Sequence, residues 1–381
     1  MTFIGVLAKN GFLPRYAFPL DVVSLETRRS RWAGDSEVDL SRDRGIAIAE
    51  FAPSAQVVAR KRVFVSGGLY IASSEDKPER KYFAQCPTCG QIRCARTKSE
   101  LSSHCEVCGS NIGEINKRAF VEPRAFSIRF DGHRQRDPAH FTKSTLIRQR
   151  QSLIHFIDTV PPAQFKPVSP LFRIGLLHRG QLFRYNLGPA RKGFMLCPVC
   201  GTSMSMQGAR AAGHRKLRAR TAAAEQCPCN NVFRGIAFAH QFESYCLVIR
   251  PNVPVDSIES VAYALHKGAC RHLELDPSDL GVSWRFLDRR TERSSGKEVV
   301  LYDRTPGGAG FVAEAFEAWP AVESKAREIC DCPARCERAC YDCLKDFGNQ
   351  SYHEALDRHK AAIFFAHAPD SAGHLPILPT A

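Results

Sequence analysis

Nowhere in this chain do apolar residues run on for the roughly 20 positions that a membrane helix needs, so a helical membrane span is excluded. The N-terminus has a short apolar patch, Phe3 to Leu7, with no basic region before it and no small-residue cleavage site. That pattern argues against a signal peptide and leads us to expect a cytoplasmic protein. A Gly-x4-Gly-Lys-Ser/Thr phosphate loop is missing, as is an Asp-Glu-x-His box, which excludes an ATP-driven motor. No phospholipase-D-type signature and no Gly-x-Ser-x-Gly elbow occurs, and the carboxylates are scattered without a nuclease-like constellation. No catalytic residue can be nominated on these grounds.

Positive charge and cysteine are what the chain has in quantity. Lys and Arg number 53 against 39 Asp and Glu, a formal charge of +14. Such an excess favours a polyanion, of which nucleic acid is the commonest, although a merely basic surface would give the same total. With 44% hydrophobic residues over 381 positions the chain is an ordinary globular one with ample core material, long enough for two or three compact units. Its 16 cysteines are read for a reducing compartment, where disulfides are rare and clustered thiols usually hold metal.

The pattern along the chain predicts an α+β protein: a β-rich N-terminal part with inserted zinc ribbons, then a mixed α/β C-terminal domain closed by a four-cysteine knuckle. Four segments are expected: a β-rich stretch over 1–80, a zinc ribbon over 81–118, a β-rich region with a second zinc site over 119–236, and a zinc-binding C-terminal domain over 237–381. In the first, Ile46 to Phe51 and Val57 to Val65 read as strands around an Ala52-Pro53-Ser54 turn. Tyr245 to Ile249 reads as a buried strand. Asp256 reads as the N-cap of a helix whose apolar face carries Ile258, Val261, Ala262, Leu265 and Ala269. Val282 to Leu287 and Val299 to Tyr302 suit a hairpin. Gly307 to Gly310 reads as a tight turn into a helix from Phe311, bent near Pro320, with anion binding at that helix start as the rival reading.

Three cysteine groups carry the chemistry. Cys86-x2-Cys89 and Cys105-x2-Cys108 stand 15 residues apart, the spacing at which two knuckles present four thiolates to one tetrahedral zinc. Gly90 and Gly109 follow the knuckles and suit the tight turn. Cys94 and His104 inside the unit read as bystanders. Cys197-x2-Cys200 is a second knuckle, but its partner Cys227-Pro228-Cys229 has one intervening residue and the gap is 26 residues. The expected set is Cys197, Cys200, Cys227 and Cys229, with His214 or His240 as alternative fourth donors. The third group, Cys330, Cys332, Cys336, Cys340 and Cys343, holds one thiol more than a tetrahedral ion needs. Cys332, Cys336, Cys340 and Cys343 are the favoured four, because Cys330 ends a helical pattern. Four protein ligands leave zinc no open position, so about three structural Zn2+ ions are expected. Cys246 and Cys270 read as core residues.

Two segments concentrate positive charge. Arg210, Arg215, Lys216, Arg218 and Arg220 lie between the arms of the second cysteine group with no acid among them. Residues 124–150 hold seven Lys or Arg against Asp131 and Asp137, with Phe126, Phe130 and Phe141 placed to stack on bases. In each case a solvated basic face is the simpler alternative.

The run Leu301-Tyr302-Asp303-Arg304-Thr305-Pro306-Gly307-Gly308-Ala309-Gly310-Phe311, followed by the cysteine cluster, Asn349-Gln350 and Leu356-Asp357-Arg358, resembles the zinc-binding C-terminal (MZB) domain of helicases like the mitomycin repair factor MrfA. A domain of this kind also occurs in the B subunit of the DISARM antiphage system. Leu13-Pro14-Arg15-Tyr16-Ala17-Phe18-Pro19 and the stretch from Leu40-Ser41-Arg42-Asp43 to Pro53 are similar to the region that follows the motor in such helicases. The resemblance implies zinc at the C-terminal cysteines, with the extra Cys330 departing from a four-cysteine pattern. It also implies a role in nucleic-acid processing, in DNA repair or phage defence. The expectation is a non-catalytic accessory or C-terminal part of a helicase system that binds DNA and a helicase or ATPase partner. The alternatives are a metal-dependent nuclease or other enzyme with an unrecognised site, and a detached helicase remnant of purely structural role, since Met1 begins where a motor would have ended.

Overall fold

A computed structural model of the chain describes residues 21–27, 40–73, 77–129, 153–158, 161, 164–206, 214, 216–217, 226–229, 231–286 and 296–366. In chain order its elements begin with strands β1 (Val22–Glu26) and β2 (Ser41–Asp43), helix α1 (Arg44–Glu50), β3 (Gln56–Ala59), β4 (Arg62–Leu69), β5 (Lys81–Gln85), β6 (Ile92–Ala95), β7 (Lys117–Val121) and β8 (Ala125–Ile128). There follow β9 (Leu153–Phe156), β10 (Lys166–Pro167), β11 (Phe172–Asn186), β12 (Phe194–Leu196), β13 (Ser203–Ser205) and β14 (Phe233–Pro251). The C-terminal part contains α2 (Ile258–His272), β15 (Leu280–Phe286), β16 (Lys297–Asp303), α3 (Phe311–Glu317), α4 (Trp319–Cys330) and α5 (Arg358–Ala366). The fold is α+β and rich in strand.

The 19-residue β14 is the spine. On one edge it pairs antiparallel with β11 along almost its whole length. On the other, its first half takes β12 and, in parallel, β7, while Cys246 to Ile249 pair with β16. Beyond β7 the sheet continues through β5 to β6, and beyond β16 to β15, giving 11 strands in all. It therefore runs unbroken from the first cysteine unit to the C-terminal hairpin, across the expected segment boundaries at 118 and 236. A second sheet of five strands, β2-β1-β8-β4-β3, packs its apolar face against β12 and β14 through Phe51, Phe126, Phe194 and Phe238.

The largest core lies at the C-terminal end. There α2, α4 and α5 cover β11, β14, β15 and β16, and Phe172 meets Trp319, Phe364 and Phe365. The predicted helix face is buried: Ile258, Val261, Ala262, Leu265 and Ala269 are at most 2% exposed. Gly268 lets α4 approach, because a Cβ there would stand 2.7 Å from the Val322 carbonyl oxygen.

The structure corrects three readings. Ile46 to Phe51 is not a strand: Asp43 accepts a hydrogen bond from the Gly45 amide at 2.8 Å and starts α1, which buries Ala47, Ile48 and Ala49 and leaves Ile46 outside. A short apolar run fits either element, and here the cap decides. The N-cap of α2 is Ser257, one residue after the expected Asp256, with its hydroxyl accepting from the Ser260 amide. Phe126 is fully buried in the N-terminal core and cannot stack on a base. Phe130, Phe141 and the rest of 130–150 lie outside the described residues.

Candidate metal centres

Three pairs of residues build the same knuckle. In each, the amide of the first cysteine donates to the carbonyl five residues on, and a left-handed glycine four residues on donates back. The pairs are Cys86 with Gln91 and Gly90, Cys105 with Ser110 and Gly109, and Cys197 with Thr202 and Gly201, at 2.8–3.0 Å. The glycines have φ of +69° to +76°, conformations that a Cβ would strain. The turn points both sulfurs of a pair inward and turns the amides of Thr88 and Cys200 towards Cys86 and Cys197 Sγ.

The first two knuckles face each other. Cys86 Sγ lies 3.5 Å from Cys108 Sγ, and Cys89 Sγ lies 3.5 Å from Cys105 Sγ. All four thiols are buried, in a small apolar cluster with Ala84, Leu101 and Ile112 against which Tyr82, Ala95 and Val107 pack. Zinc–sulfur bonds of about 2.3 Å at tetrahedral angles separate sulfurs by about 3.8 Å, whereas a disulfide joins them at about 2.05 Å. The cysteines are free, and this spacing suits an ion at their centre. His104 is exposed and bonds Ser103, and burial pushes the thiol of Cys94 up to about 12, so neither joins the group.

At the second centre Cys197, Cys200 and Cys227 converge with His214 rather than Cys229. Cys197 and Cys227 Sγ are 3.8 Å apart, and His214 Nε2 stands 3.4 Å from Cys200 Sγ. The backbone explains the choice: the Cys227 amide donates to the His214 carbonyl at 3.0 Å, which lays the two residues side by side. The Cys229 sulfur is turned to the Asn231 carbonyl at 3.4 Å. His240 is on β14, stacked on Phe242 and remote from this group. The knuckle also clamps the N-terminal sheet, since Leu69 donates to the Gly201 carbonyl at 2.9 Å.

The third centre has no glycine knuckle. Cys332 and Cys336 precede a turn in which the amides of Cys343 and Lys345 both donate to the Cys340 carbonyl. Sulfur separations are 3.5 Å for Cys332–Cys340, 3.7 Å for Cys336–Cys343 and 3.8 Å for Cys340–Cys343. Cys330 stays outside: its thiol donates to the Ala326 carbonyl of α4, and burial pushes it up to about 12. At Cys332 burial opposes ionisation, but hydrogen bonds from Cys340 and from the backbone at 336 and 334 outweigh it and bring the thiol down to about 7.

Cations that sequence spacing did not single out surround this third group. Lys267 and Arg271 of α2 donate to the carbonyls of Lys345 at 2.7 Å and Asp342 at 3.2 Å. Arg358 donates to the carbonyls of Cys336 at 2.8 Å and Cys330 at 3.1 Å. Four thiolates around one divalent ion carry a net charge of −2, and these side chains offset it while fixing the loops.

The Gly307–Gly310 turn has no amide to spare for an outside anion. Asp303, itself fully buried, accepts from the amides of Ala309 at 2.7 Å, Gly310 at 2.6 Å and Val312 at 3.0 Å. Gly307 and Gly308 donate to the carbonyls of Glu243 and Thr305. The carboxylate is an internal anion at the start of α3, and burial raises its pKa against the lowering effect of those amides.

Of the basic segment, Arg210, Arg215, Arg218 and Arg220 lie outside the described residues, and Lys216 is half-buried beside the buried His214 and Leu217. Among the described residues no helix is long and apolar enough to cross a membrane.

Residues 261–344 match the family model of the MrfA Zn-binding domain, as the run from Leu301 and the C-terminal cysteines implied. The matched span holds the third cluster, and the first two lie outside it. Over 401 aligned residues the chain is 24% identical to the Druantia protein DruE of Escherichia coli (strain UMEA 4076-1), covering 94% of this chain and 21% of that protein. The chain thus spans about a fifth of the length of that curated relative. Among solved structures it is similar to the DUF1998 helicase MrfA bound to DNA, with a TM-score of 0.41 and 8% identity over 91% of this chain and 33% of that one. It is also similar to MrfA without DNA, with a TM-score of 0.34 and 10% identity over 85% and 32%. Residues 261–344 are thus similar to a zinc-binding domain.

Proposed function

We propose that this chain is the zinc-bearing, DNA-binding part of a helicase system, acting with a helicase or ATPase subunit in phage defence or DNA repair. Each cysteine group holds one structural zinc: Cys86, Cys89, Cys105 and Cys108; Cys197, Cys200, His214 and Cys227; Cys332, Cys336, Cys340 and Cys343. With four protein donors apiece, the ions stabilise segments too short to bury cores of their own and perform no chemistry. The observation that carries the DNA reading is the position of His214. His214 belongs to the acid-free run from Arg210 to Arg220, so a metal bound by it would hold that run at one of its own residues. The family match and the DruE relative support the helicase association.

Binding to duplex DNA of unrelated sequences, followed by fluorescence anisotropy at rising salt, tests the reading. Phosphate contacts release counterions, so affinity is expected to fall steeply with salt and to vary little with sequence. The triple substitution Arg215→Glu, Lys216→Glu, Arg218→Glu should weaken binding to every sequence alike. Equal binding by parent and triple variant would reduce the segment to a solvated face.

A further inference from the structure

We infer that the C-terminal zinc knuckle presents a stacking platform for single-stranded nucleic acid, built on Phe347 and Tyr341 with Arg304 and Lys345 beside them. Phe347 is 83% exposed and Tyr341 63%, whereas most aromatic rings among the described residues are buried. Exposure of one phenylalanine alone carries no meaning. The loop that holds this one is braced far beyond what a surface turn needs. Asp346 and Asn349 exchange hydrogen bonds, the Asp346 amide to Asn349 Oδ1 at 2.9 Å and the Asn349 amide to Asp346 Oδ1 at 2.8 Å. Asn349, 1% exposed, also donates Nδ2–H to the Leu344 carbonyl at 2.8 Å. His353 Nε2 donates to the Asp346 carbonyl and Asn349 Oδ1 at 3.0 and 2.9 Å, and its ring meets Tyr341 edge-on at 5.6 Å. Polar groups centred on the buried Asn349 thus hold an apolar ring out in water, and His353 links the loop to the Tyr341 ring.

The charge around the platform selects the occupant. Arg304 is exposed, with Nη2 3.9 Å from where a Cβ on Gly348 would stand, and Lys345 flanks the loop on its N-terminal side. Neither side chain forms an ion pair or hydrogen bond among the described residues. The nearby Asp346 carboxylate is turned inward to the Asn349 amide. An outward ring with Arg304 and Lys345 beside it suits a base with its phosphate, because a base offers a π-face and the backbone a negative charge. Duplex DNA, whose bases are stacked on one another, cannot use the ring.

This inference deepens the DNA-binding reading above, and two sets of variants separate them. The full chain is titrated with fluorescein-labelled oligo(dT) and with a duplex, and stacking is read from quenching of 2-aminopurine placed in the oligo(dT). Phe347→Ala should weaken oligo(dT) binding roughly tenfold, abolish the quenching and leave duplex binding and thermal stability unchanged. Phe347→Trp should retain both binding and quenching, and Arg304→Glu with Lys345→Glu should weaken oligo(dT) binding with a smaller salt dependence. Unaltered oligo(dT) affinity and quenching in Phe347→Ala overturns the platform, including the case in which that variant instead loses a protein partner. If the Arg215, Lys216, Arg218 triple variant alone weakens binding, the platform falls and the basic arm stands. The opposite pattern keeps the platform and removes the arm, and a parent that binds neither DNA removes both.

Discussion

Arg285, on the C-terminal hairpin, donates through Nη1 to Gln91 Oε1 at 3.0 Å, and the Gln91 carbonyl is the one that closes the first cysteine knuckle. Almost two hundred residues of sequence separate the two partners. The same guanidinium reaches the Asp158 carbonyl at 2.6 Å and Glu298 at 2.6 Å, and Glu298 also pairs with Arg250 at 2.5 Å. Glu298 is fully buried and both arginines nearly so, with Phe156 and Phe165 beneath their planes. The first cysteine unit is therefore tied to the C-terminal sheet by a buried charge network rather than by a linker.

Removing Glu298 would leave two buried arginines without their carboxylate, and breaking a buried pair in this way typically costs about 3–5 kcal/mol, whereas removing Arg285 leaves Glu298 its pair with Arg250. Glu298→Gln should lower stability by about that much in chemical denaturation. Gln91→Ala, which removes one neutral acceptor, should cost about 1 kcal/mol. A similar loss from both would show that Gln91, not the charge network, is the critical joint.

The glycine turn before α3 should be intolerant for a separate reason. Gly308 has φ of +78°, and a Cβ there would stand 2.0 Å from Tyr245 Cδ2. Gly308→Ala should cost about 2–4 kcal/mol, from strain and overlap together. Asp303→Asn should cost about 2 kcal/mol, because an amide NH2 would face backbone donors that the carboxylate now satisfies. Thermal melts of the two variants check both figures, and phosphate should stabilise neither of them, nor the parent.

Features with local causes were legible in the sequence, and features with distant ones were not. The Cys86–Cys108 group and the Cys340–Cys343 pair follow from spacing, since two residues between sulfurs set the turn. The apolar face of α2 follows from its period. At the second centre, spacing offered several fourth donors, and only the pairing of the Cys227 amide with the His214 carbonyl distinguishes them. The Gly307–Gly310 turn was recognisable, but its filling by Asp303 depends on where β16 ends. Lys267, Arg271 and Arg358 look like ordinary surface charges until α2 and α5 bring them to the third cluster. The strand reading of Ile46 to Phe51 failed because five apolar residues in six positions carry too little period to tell strand from helix, and the Asp43 cap outweighed it.

Two buried histidines should make stability depend on pH. Burial, helped at His240 by Arg44 and Arg184, lowers the pKa to about 3, and burial lowers that of His266 to about 4, both from 6.5. The unfolded chain then binds protons that the folded one refuses, so stability is full above pH 6.5 and falls as pH drops below it. Each such group contributes up to about 1.4 kcal/mol per pH unit over that window. Among the described residues neither ring nitrogen of His240 has a hydrogen-bond partner, and the ring is stacked on Phe242. His240→Leu should therefore be no less stable at pH 7 and should show a slope shallower by one proton between pH 6 and 4.5. Denaturant midpoints over that range measure it, and an unchanged slope would mean that the imidazole finds a proton acceptor in the folded state.

Metal content gives the most direct test of the three centres. Purified protein should contain about three zinc ions per chain, because each group closes a four-donor shell and none has a spare position for water. At the third centre, Cys340→Ser should lose close to one zinc and loosen 330–345, and the Lys267 and Arg271 contacts to the knuckle carbonyls should go with it. Cys330→Ser should keep the metal, since the thiol bonds only the Ala326 carbonyl and a serine hydroxyl can do the same. At the second centre the geometry is sharper than the spacing was: His214→Ala should lose close to one zinc, whereas Cys229→Ser should lose none. The discriminating experiment is elemental analysis of all four variants beside their thermal melts. Retention of three zincs by His214→Ala together with a loss in Cys229→Ser would restore the four-cysteine set. The basic arm would then be anchored at Cys227 and Cys229, with no hold at His214.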